Sequence, residues 1–144
     1  MLTNLIALAA FIPVIIGMGG NIGTQSSTII VRGIATGRIK LGNELKVLIK
    51  EIQVGFILGI LYGFLLGLFA NYNFINADPF LGVVVGLSIC CSMIIAAAVG
   101  AFTPLILRKL DIDPAIATGP FVTTSVDILG VSLYFIIAGK FLNM

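Results

Sequence analysis

Four long apolar blocks separated by short polar segments constrain this chain more than any other feature. They run over about residues 5–31, 52–71, 80–107 and 115–138. Each reaches the roughly 20 residues that a helix rising ~1.5 Å per residue needs to cross ~30 Å of hydrocarbon. Because 59% of the residues are hydrophobic and only 10% are charged, the composition excludes a soluble domain. The sequence predicts an all-α, polytopic transmembrane helical bundle of four spans, with residues 1–144 forming a single transmembrane domain.

The polar segments between the blocks predict helix starts and orientation. Asp78-Pro79 and Asp113-Pro114 each place an aspartate at an N-cap and a proline at the first helical position, so helices three and four should begin there. The positive-inside rule places the loops after helices one and three in the cytoplasm and both termini outside the cell membrane, with Lys140 as a weak counter-indication. Those two loops hold most of the basic residues: Arg32, Arg38, Lys40, Lys46, Lys50, Arg108 and Lys109.

Two segments beside the spans need their own interpretation. In KLGNELKVLIKEI, residues 40–52, positions 41, 45, 48, 49 and 52 are apolar. This spacing predicts an amphipathic interfacial helix leading into helix two, with a solvated loop as the alternative. The first block follows neither a basic leader nor a small-residue cleavage site and is too long for a signal-peptide core, so we interpret it as a span.

The residue inventory argues against catalysis and nucleic-acid binding. The net charge of +2 comes from residues that flank the spans. The chain has no histidine, and its two cysteines, Cys90 and Cys91, are neighbours inside a span, where a disulfide would be strained. We assign them to packing. The sequence contains no Gly-rich phosphate loop, no Ser/His/Asp set and no metal-hydrolase motif, so we expect neither an enzyme nor a nucleic-acid partner.

Helix two carries a regular series of glycines. Gly55, Gly59, Gly63 and Gly67 are four residues apart and therefore share one face. Small residues on one face let a second helix approach closely, which matters in lipid because apolar side chains have no other reason to associate there. We assign these four glycines to helix packing.

Helix one contains a polar stripe within its apolar run. Gly17, Asn21, Gln25 and Thr28 are three or four positions apart and share one face. The amides could join helices by hydrogen bonding. Alternatively, the glycines flanking Asn21, Gly20 among them, thin the helix and open room for water or an ion. We favour this lining interpretation.

Helix four carries an aspartate at its centre. With the helix taken as Pro114 to Lys140, Asp127 is about 13 residues, or ~19 Å, from either end, too far for its side chain to reach the interface. A charged residue at this depth costs about 2.5 to 3.5 kcal/mol on insertion scales. Since every basic residue of the chain is near a helix end or in a loop, the chain supplies no intramembrane salt bridge.

Groups that carry oxygen atoms precede this aspartate on the same helix. Thr123 and Thr124 are one turn back, and Pro120 cannot donate to the carbonyl of Ile116, which leaves that oxygen free. Oxygen without nitrogen or sulfur is the ligand set of hard cations, so Mg²⁺, Na⁺, Ca²⁺ or a proton would fit. The alternative is that Asp127 is a neutral acid, hydrogen-bonded for helix packing.

Two stretches carry a family resemblance. PVIIGMGGNIGTQSSTIIVRGIATG and DPAIATGPFVTTSVDILGVSLYF resemble the signature helices of the transmembrane domain of the MgtE family of magnesium channels. The resemblance implies a homodimer with five membrane helices per protomer and a pore at the dimer interface, lined by helices one and four of this chain. It implies that Asp127 binds hydrated Mg²⁺ and that backbone oxygens at Thr123 contribute. Asn21 falls in the pore-lining motif.

The function implied is channel-like transport of Mg²⁺, with other divalent cations as possible cargo and the lipid bilayer as surroundings. The alternatives are a cation-coupled secondary transporter that uses Asp127 as a proton or sodium relay, and a non-transporting membrane scaffold. Relative to the family, the first membrane helix and the preceding cytosolic regulatory domains are missing, so we expect a fragment or a shortened relative. The expected pore-lining residues are Gly20, Asn21, Gln25, Pro120 and Thr124.

Overall fold

The structure, a computed structural model, describes residues 2–40, 42–74 and 77–142. Within these ranges it contains helices and no strand, which confirms the all-α prediction. Four helices are long and apolar enough to cross a membrane, as expected. The elements are α1 (Leu2–Ala35), α2 (Glu44–Asn73), α3 (Leu81–Lys109), a 3-10 helix (Pro114–Ala117) and α4 (Pro120–Phe141).

The second helix is longer than the apolar block that predicts it. It begins at Glu44, so the amphipathic segment, whose position 41 lies outside the described residues, continues directly into the span. Val47 and Leu48 on this segment pack against Ile39 and Leu105, whereas Leu45 is 66% exposed. The predicted helical lead-in is confirmed from Glu44 onward as the first two turns of α2, and the alternative of a solvated loop does not hold for these residues.

Two predicted helix starts are shifted. Helix three begins at Leu81, because Asp78 accepts a hydrogen bond from the N–H of Phe80 at 2.9 Å and caps a preceding turn. Asp113 does cap the 3-10 helix, accepting from the N–H of Ala115 at 2.9 Å.

Helix four is interrupted where the sequence predicts a continuous helix. The 3-10 helix ends at Ala117, and Gly119 adopts φ 73°, ψ −134° before α4 begins at Pro120. A proline disfavours the helical conformation of the residue before it, and glycine tolerates the positive φ. Pro120 is thus the first residue of α4, so the prediction that it frees the Ile116 carbonyl inside a helix is wrong.

Helix α3 holds the bundle together. It packs against α1, α2 and α4, whereas α1 and α2 scarcely touch each other. A Cβ atom built on Gly63 would approach the carbonyl oxygen of Gly86 to 2.5 Å, and one on Gly67 would approach that of Gly82 to 2.7 Å. Glycines thus set the distance between α2 and α3. We call the face formed by Gly55, Gly59, Gly63 and Gly67 the glycine seam.

Candidate cation site between α1 and α4

The central feature of the site is the carboxylate of Asp127. In the span Pro114–Phe141 this residue is thirteen positions from the first and fourteen from the last, which places it at mid-depth. Its side chain lies against α1 at Gly20. A Cβ built on Gly20 would be 3.7 Å from Asp127 Oδ1 and 3.7 Å from Thr123 Cγ2. The structure therefore brings Gly20, Thr123 and Asp127 together, and the missing side chain at Gly20 leaves room for the carboxylate.

One oxygen of the Asp127 carboxylate lacks a hydrogen-bond partner in the single chain. Asp127 is half-buried, and its Oδ1 atom is buried without a hydrogen-bond partner among the described residues. A buried polar atom without a partner is costly, and a charged one more so. No group of three or more His, Cys, Asp or Glu side chains in the described part of the chain could hold a metal ion. The single chain thus offers one carboxylate and not a closed set of ligands at this site.

The hydroxyl group of Thr123, one turn before Asp127, donates its hydrogen bond within its own helix. The Thr123 hydroxyl donates to the carbonyl of Pro120 at 3.1 Å and is 3.4 Å from that of Gly119. Its own carbonyl accepts the helical N–H of residue 127, so only the second lone pair of that oxygen could serve an ion. The Thr123 hydroxyl therefore has no free proton for the carboxylate, and the Thr123 methyl group faces Gly20 beside Oδ1.

The other predicted pore-lining residues do not join this cluster. Asn21 and Gln25 on α1, and Pro120 and Thr124 on α4, are exposed on the outside of the single chain. Gly17 also faces open space, with no atom within 4 Å of a built Cβ. We call the surface formed by these five residues the outer α1–α4 face.

This face points away from α3. Cβ atoms built on Gly19 and Gly23, on the opposite side of α1, would contact Val126, at 3.0 Å and 3.1 Å, as well as α3. The α3 contacts are Ser92 Oγ at 3.3 Å from the first and the Ala96 carbonyl at 3.5 Å from the second. The polar groups of the outer face therefore have no protein cover in the single chain.

Hydrogen bonds at depth fix α1 against the fourth span. The Ser27 hydroxyl donates to the carbonyl of Ala117 at 2.9 Å, which ties α1 to the 3-10 helix. The Tyr134 hydroxyl donates to the carbonyl of Leu8 at 3.0 Å, and both residues are buried. Because a buried hydroxyl without a partner is costly, these bonds favour one register of α1 against α4.

Sequence reasoning missed Ser88 and Ser92 behind the site. Both are buried on α3, and neither hydroxyl has a partner among the described residues. Ser92 Oγ lies between α1 and α4, since a Cβ on Gly130 would come within 2.7 Å of it and one on Gly19 within 3.3 Å. The only sequence signal was a serine pair four residues apart in an apolar helix.

Four spanning helices with an unpaired acid at mid-depth define a polytopic membrane protein with a polar site inside the bilayer. The family model MgtE, described as a divalent cation transporter, matches residues 12–137. The chain belongs to the MgtE family, and the resemblance seen in its sequence is confirmed.

Three curated relatives are magnesium transporters named MgtE. The chain is 39% identical over 132 residues to the protein of Thermus thermophilus, covering 92% of this chain and 29% of the relative. It is 36% identical over 142 residues to that of Bacillus subtilis, covering 99% and 31%. It is 36% identical over 136 residues to that of Enterococcus faecalis, covering 94% and 30%. The chain thus spans about three-tenths of the length of these relatives.

Proposed function

We propose that this chain is the ion-conducting part of a magnesium transporter, in which two copies hold hydrated Mg²⁺ between their Asp127 carboxylates. The observation that carries the proposal is the buried Oδ1 of Asp127, which has no partner among the described residues and lies at mid-depth. A cation supplies the missing compensation. Membership of a family described as divalent cation transporters supports this choice over a proton or a structural hydrogen bond.

The outer α1–α4 face supports the pairing of two copies. Asn21, Gln25 and Thr124 are exposed there, at the depth of the spans, where lipid offers no hydrogen bonds. A second copy related by a twofold axis would cover this face and enclose water beside it. Two Asp127 side chains would then face one aqueous path with two negative charges and about four oxygen acceptors.

The chemistry of Mg²⁺ suits such a path. This ion dehydrates reluctantly and is commonly held by one or two carboxylates while it keeps several waters. Binding through the water shell stays weak enough for release, which conduction requires. A divalent ion crossing 100 mV gains about 4.6 kcal/mol, twice the ~2.3 kcal/mol of a single charge, so flow down the gradient needs no further energy source.

The interrupted fourth span favours one rival, a cation-coupled secondary transporter. Broken helices near a mid-depth site are typical of that class, and the 3-10 helix and Gly119 form such a break. In this rival, Asp127 would bind and release a proton or sodium ion during alternating access. The channel-like proposal predicts uptake that follows the Mg²⁺ gradient and voltage and ignores an imposed proton or sodium gradient.

The test is Mg²⁺ uptake by liposomes that contain the full chain and a Mg²⁺-sensitive dye. We expect Asp127→Ala to abolish uptake, because both carboxylates of the pair are lost at once. Asp111→Asn is the matched control, since it removes an exposed acid outside the helices, and asparagine tolerates the positive φ of 56° there. Normal uptake by Asp127→Ala would remove this residue from the mechanism. Uptake driven by a proton or sodium gradient alone would favour the secondary transporter.

A further inference from the structure

A pocket of about 320 Å³ lies where the chain leaves α1 and turns toward α2. It is at the end of the bundle opposite to the α2–α3 connection, well away from Asp127 along the helices. Two arginines and a threonine share its walls with three aliphatic side chains. The lining residues that matter here are Arg32, Thr36, Arg38, Ile29, Ile39 and Val47.

Backbone bonds hold the pocket in shape. The N–H of Gly37, at φ 68°, donates to the carbonyl of Ile34 at 3.0 Å and closes the end of α1. The N–H of Ile39 then donates back to the carbonyl of Gly33 at 3.0 Å. The Ile39 side chain rests on Gly33, where a built Cβ would come within 2.5 Å of it. Arg108 on α3 donates to the Ile39 carbonyl at 3.0 Å, so the turn is fixed to a second helix.

The pocket carries uncompensated positive charge. Neither Arg32 nor Arg38 has a side-chain hydrogen bond or an ion pair within the described part of the chain. The C-terminal end of α1 contributes about half a negative charge from the helix dipole, which two guanidinium groups outweigh. The Arg108 guanidinium, bound to the Ile39 carbonyl, adds a third positive charge nearby.

We propose that this pocket binds the phosphate group of an anionic phospholipid. Guanidinium groups bind phosphate oxygens through paired, charge-assisted hydrogen bonds, and Arg32 and Arg38 are free to do so. Ile29, Ile39 and Val47 give the pocket apolar walls that suit the glycerol and first acyl carbons of a lipid. The pocket lies at the end of a spanning helix, where headgroups are found, so a lipid fits it better than a soluble phosphate does.

Native mass spectrometry of the delipidated full chain, titrated with short-chain phosphatidylglycerol, tests the site. We expect Arg32→Gln/Arg38→Gln to weaken binding at least about tenfold, since both phosphate-binding groups are lost. Lys46→Gln/Lys50→Gln is the matched control because it removes two exposed charges from the same end of the bundle outside the pocket. We expect it to weaken binding less than about threefold.

A second pair of variants tests shape without changing charge. Val47→Phe would fill the pocket and weaken binding, whereas Ile49→Phe, at an exposed position of the same helix outside the pocket, would not. If the double arginine variant fails to insert into the membrane, the comparison of Val47→Phe with Ile49→Phe still tests whether the lipid binds in the pocket. Equal losses in both double variants would reduce the site to diffuse surface attraction and overturn the proposal. Equal binding of phosphatidylcholine would also overturn it, as would displacement of the lipid by an equal concentration of glycerol phosphate.

Discussion

Glycines lie at helix contacts in two regions of this protein, and their effect on packing differs between the two. In the glycine seam, the missing side chains of α2 let it meet the backbone of α3, as where Gly63 faces the Gly86 carbonyl. Between α1 and α4, the missing side chain of Gly20 leaves a space into which the Asp127 carboxylate fits. The outward surfaces differ as well: α2 presents apolar side chains such as Phe64, which is 66% exposed, whereas the outer α1–α4 face presents amides and hydroxyls.

The comparison shows that a small residue in a membrane helix can have either of two effects: close approach of a second helix, or space for a polar side chain. At the seam, close approach itself is the result, because van der Waals contact and weak hydrogen bonds are the main attraction between helices in lipid. At Gly20 the result is room for a polar group. The partner residue decides which of the two applies, and here it is a glycine in one case and an aspartate in the other.

The largest effect is expected when one methyl group is added at the glycine seam, where close approach of α2 and α3 is the role assigned to the glycines. Gly63→Ala would place a Cβ about 2.5 Å from the Gly86 carbonyl oxygen, which is backbone and cannot move alone. We expect α2 and α3 to separate and the free energy of unfolding to fall by about 2 to 4 kcal/mol. Thermal or denaturant unfolding in detergent, followed by circular dichroism, measures the loss.

Gly17→Ala is the matched control for that variant. A Cβ at Gly17 meets no atom within 4 Å, and both changes give the same gain in helix propensity. The control should therefore unfold within about 1 kcal/mol of the unmodified protein. If the two variants were equally stable, close approach at the seam would not hold α2 to α3.

The second test asks whether the two outward surfaces have different neighbours. In a chain with Cys90 and Cys91 replaced by alanine, Asn21→Cys places one thiol on the outer α1–α4 face, and Phe64→Cys places one on the α2 surface. Both positions are exposed in the single chain. With a flexible bis-maleimide, the proposed pairing of two copies predicts a covalent dimer for Asn21→Cys and almost none for Phe64→Cys. Equal yields on a denaturing gel would contradict that pairing.

The smallest expected effect belongs to Gly20→Ala. The added methyl group would sit about 3.7 Å from both Asp127 Oδ1 and Thr123 Cγ2, an ordinary contact distance, so the fold should be preserved. We expect Mg²⁺ uptake to fall about two- to tenfold, because the methyl group crowds the carboxylate to which the proposal assigns the ion. Liposome uptake measures it. A loss of stability like that of Gly63→Ala would mean that Gly20 serves close approach after all.

The spans and the depth of Asp127 could be predicted because hydropathy and helix length depend on the sequence alone. The start of α4 could not be predicted that way, since the apolar run continues through the break at Gly119 and hydropathy does not register it. The Gly-Pro pair was the local signal for that break. Ser92 was missed because a serine in an apolar helix does not reveal which helix it faces.

The direction in which the polar stripe of α1 faces could not be predicted from the sequence either. Helical spacing places Asn21 and Gln25 on one face of α1, but only packing shows that Gly20, and not Asn21, lies against Asp127. The side of the membrane on which the basic loops lie stays a prediction from charge.

The break before α4 divides the fourth span into two parts, the 3-10 helix and α4, that could move relative to each other. The 3-10 helix is tethered to α1 through Ser27, while Thr118 and Gly119 connect it to α4 as a two-residue joint. A tilt of α4 about this joint would break the hydrogen bond from Tyr134 to the Leu8 carbonyl and would move Asp127 sideways while the 3-10 helix stays in place. Under the proposed pairing of two copies, such a tilt would change the distance between the two Asp127 carboxylates.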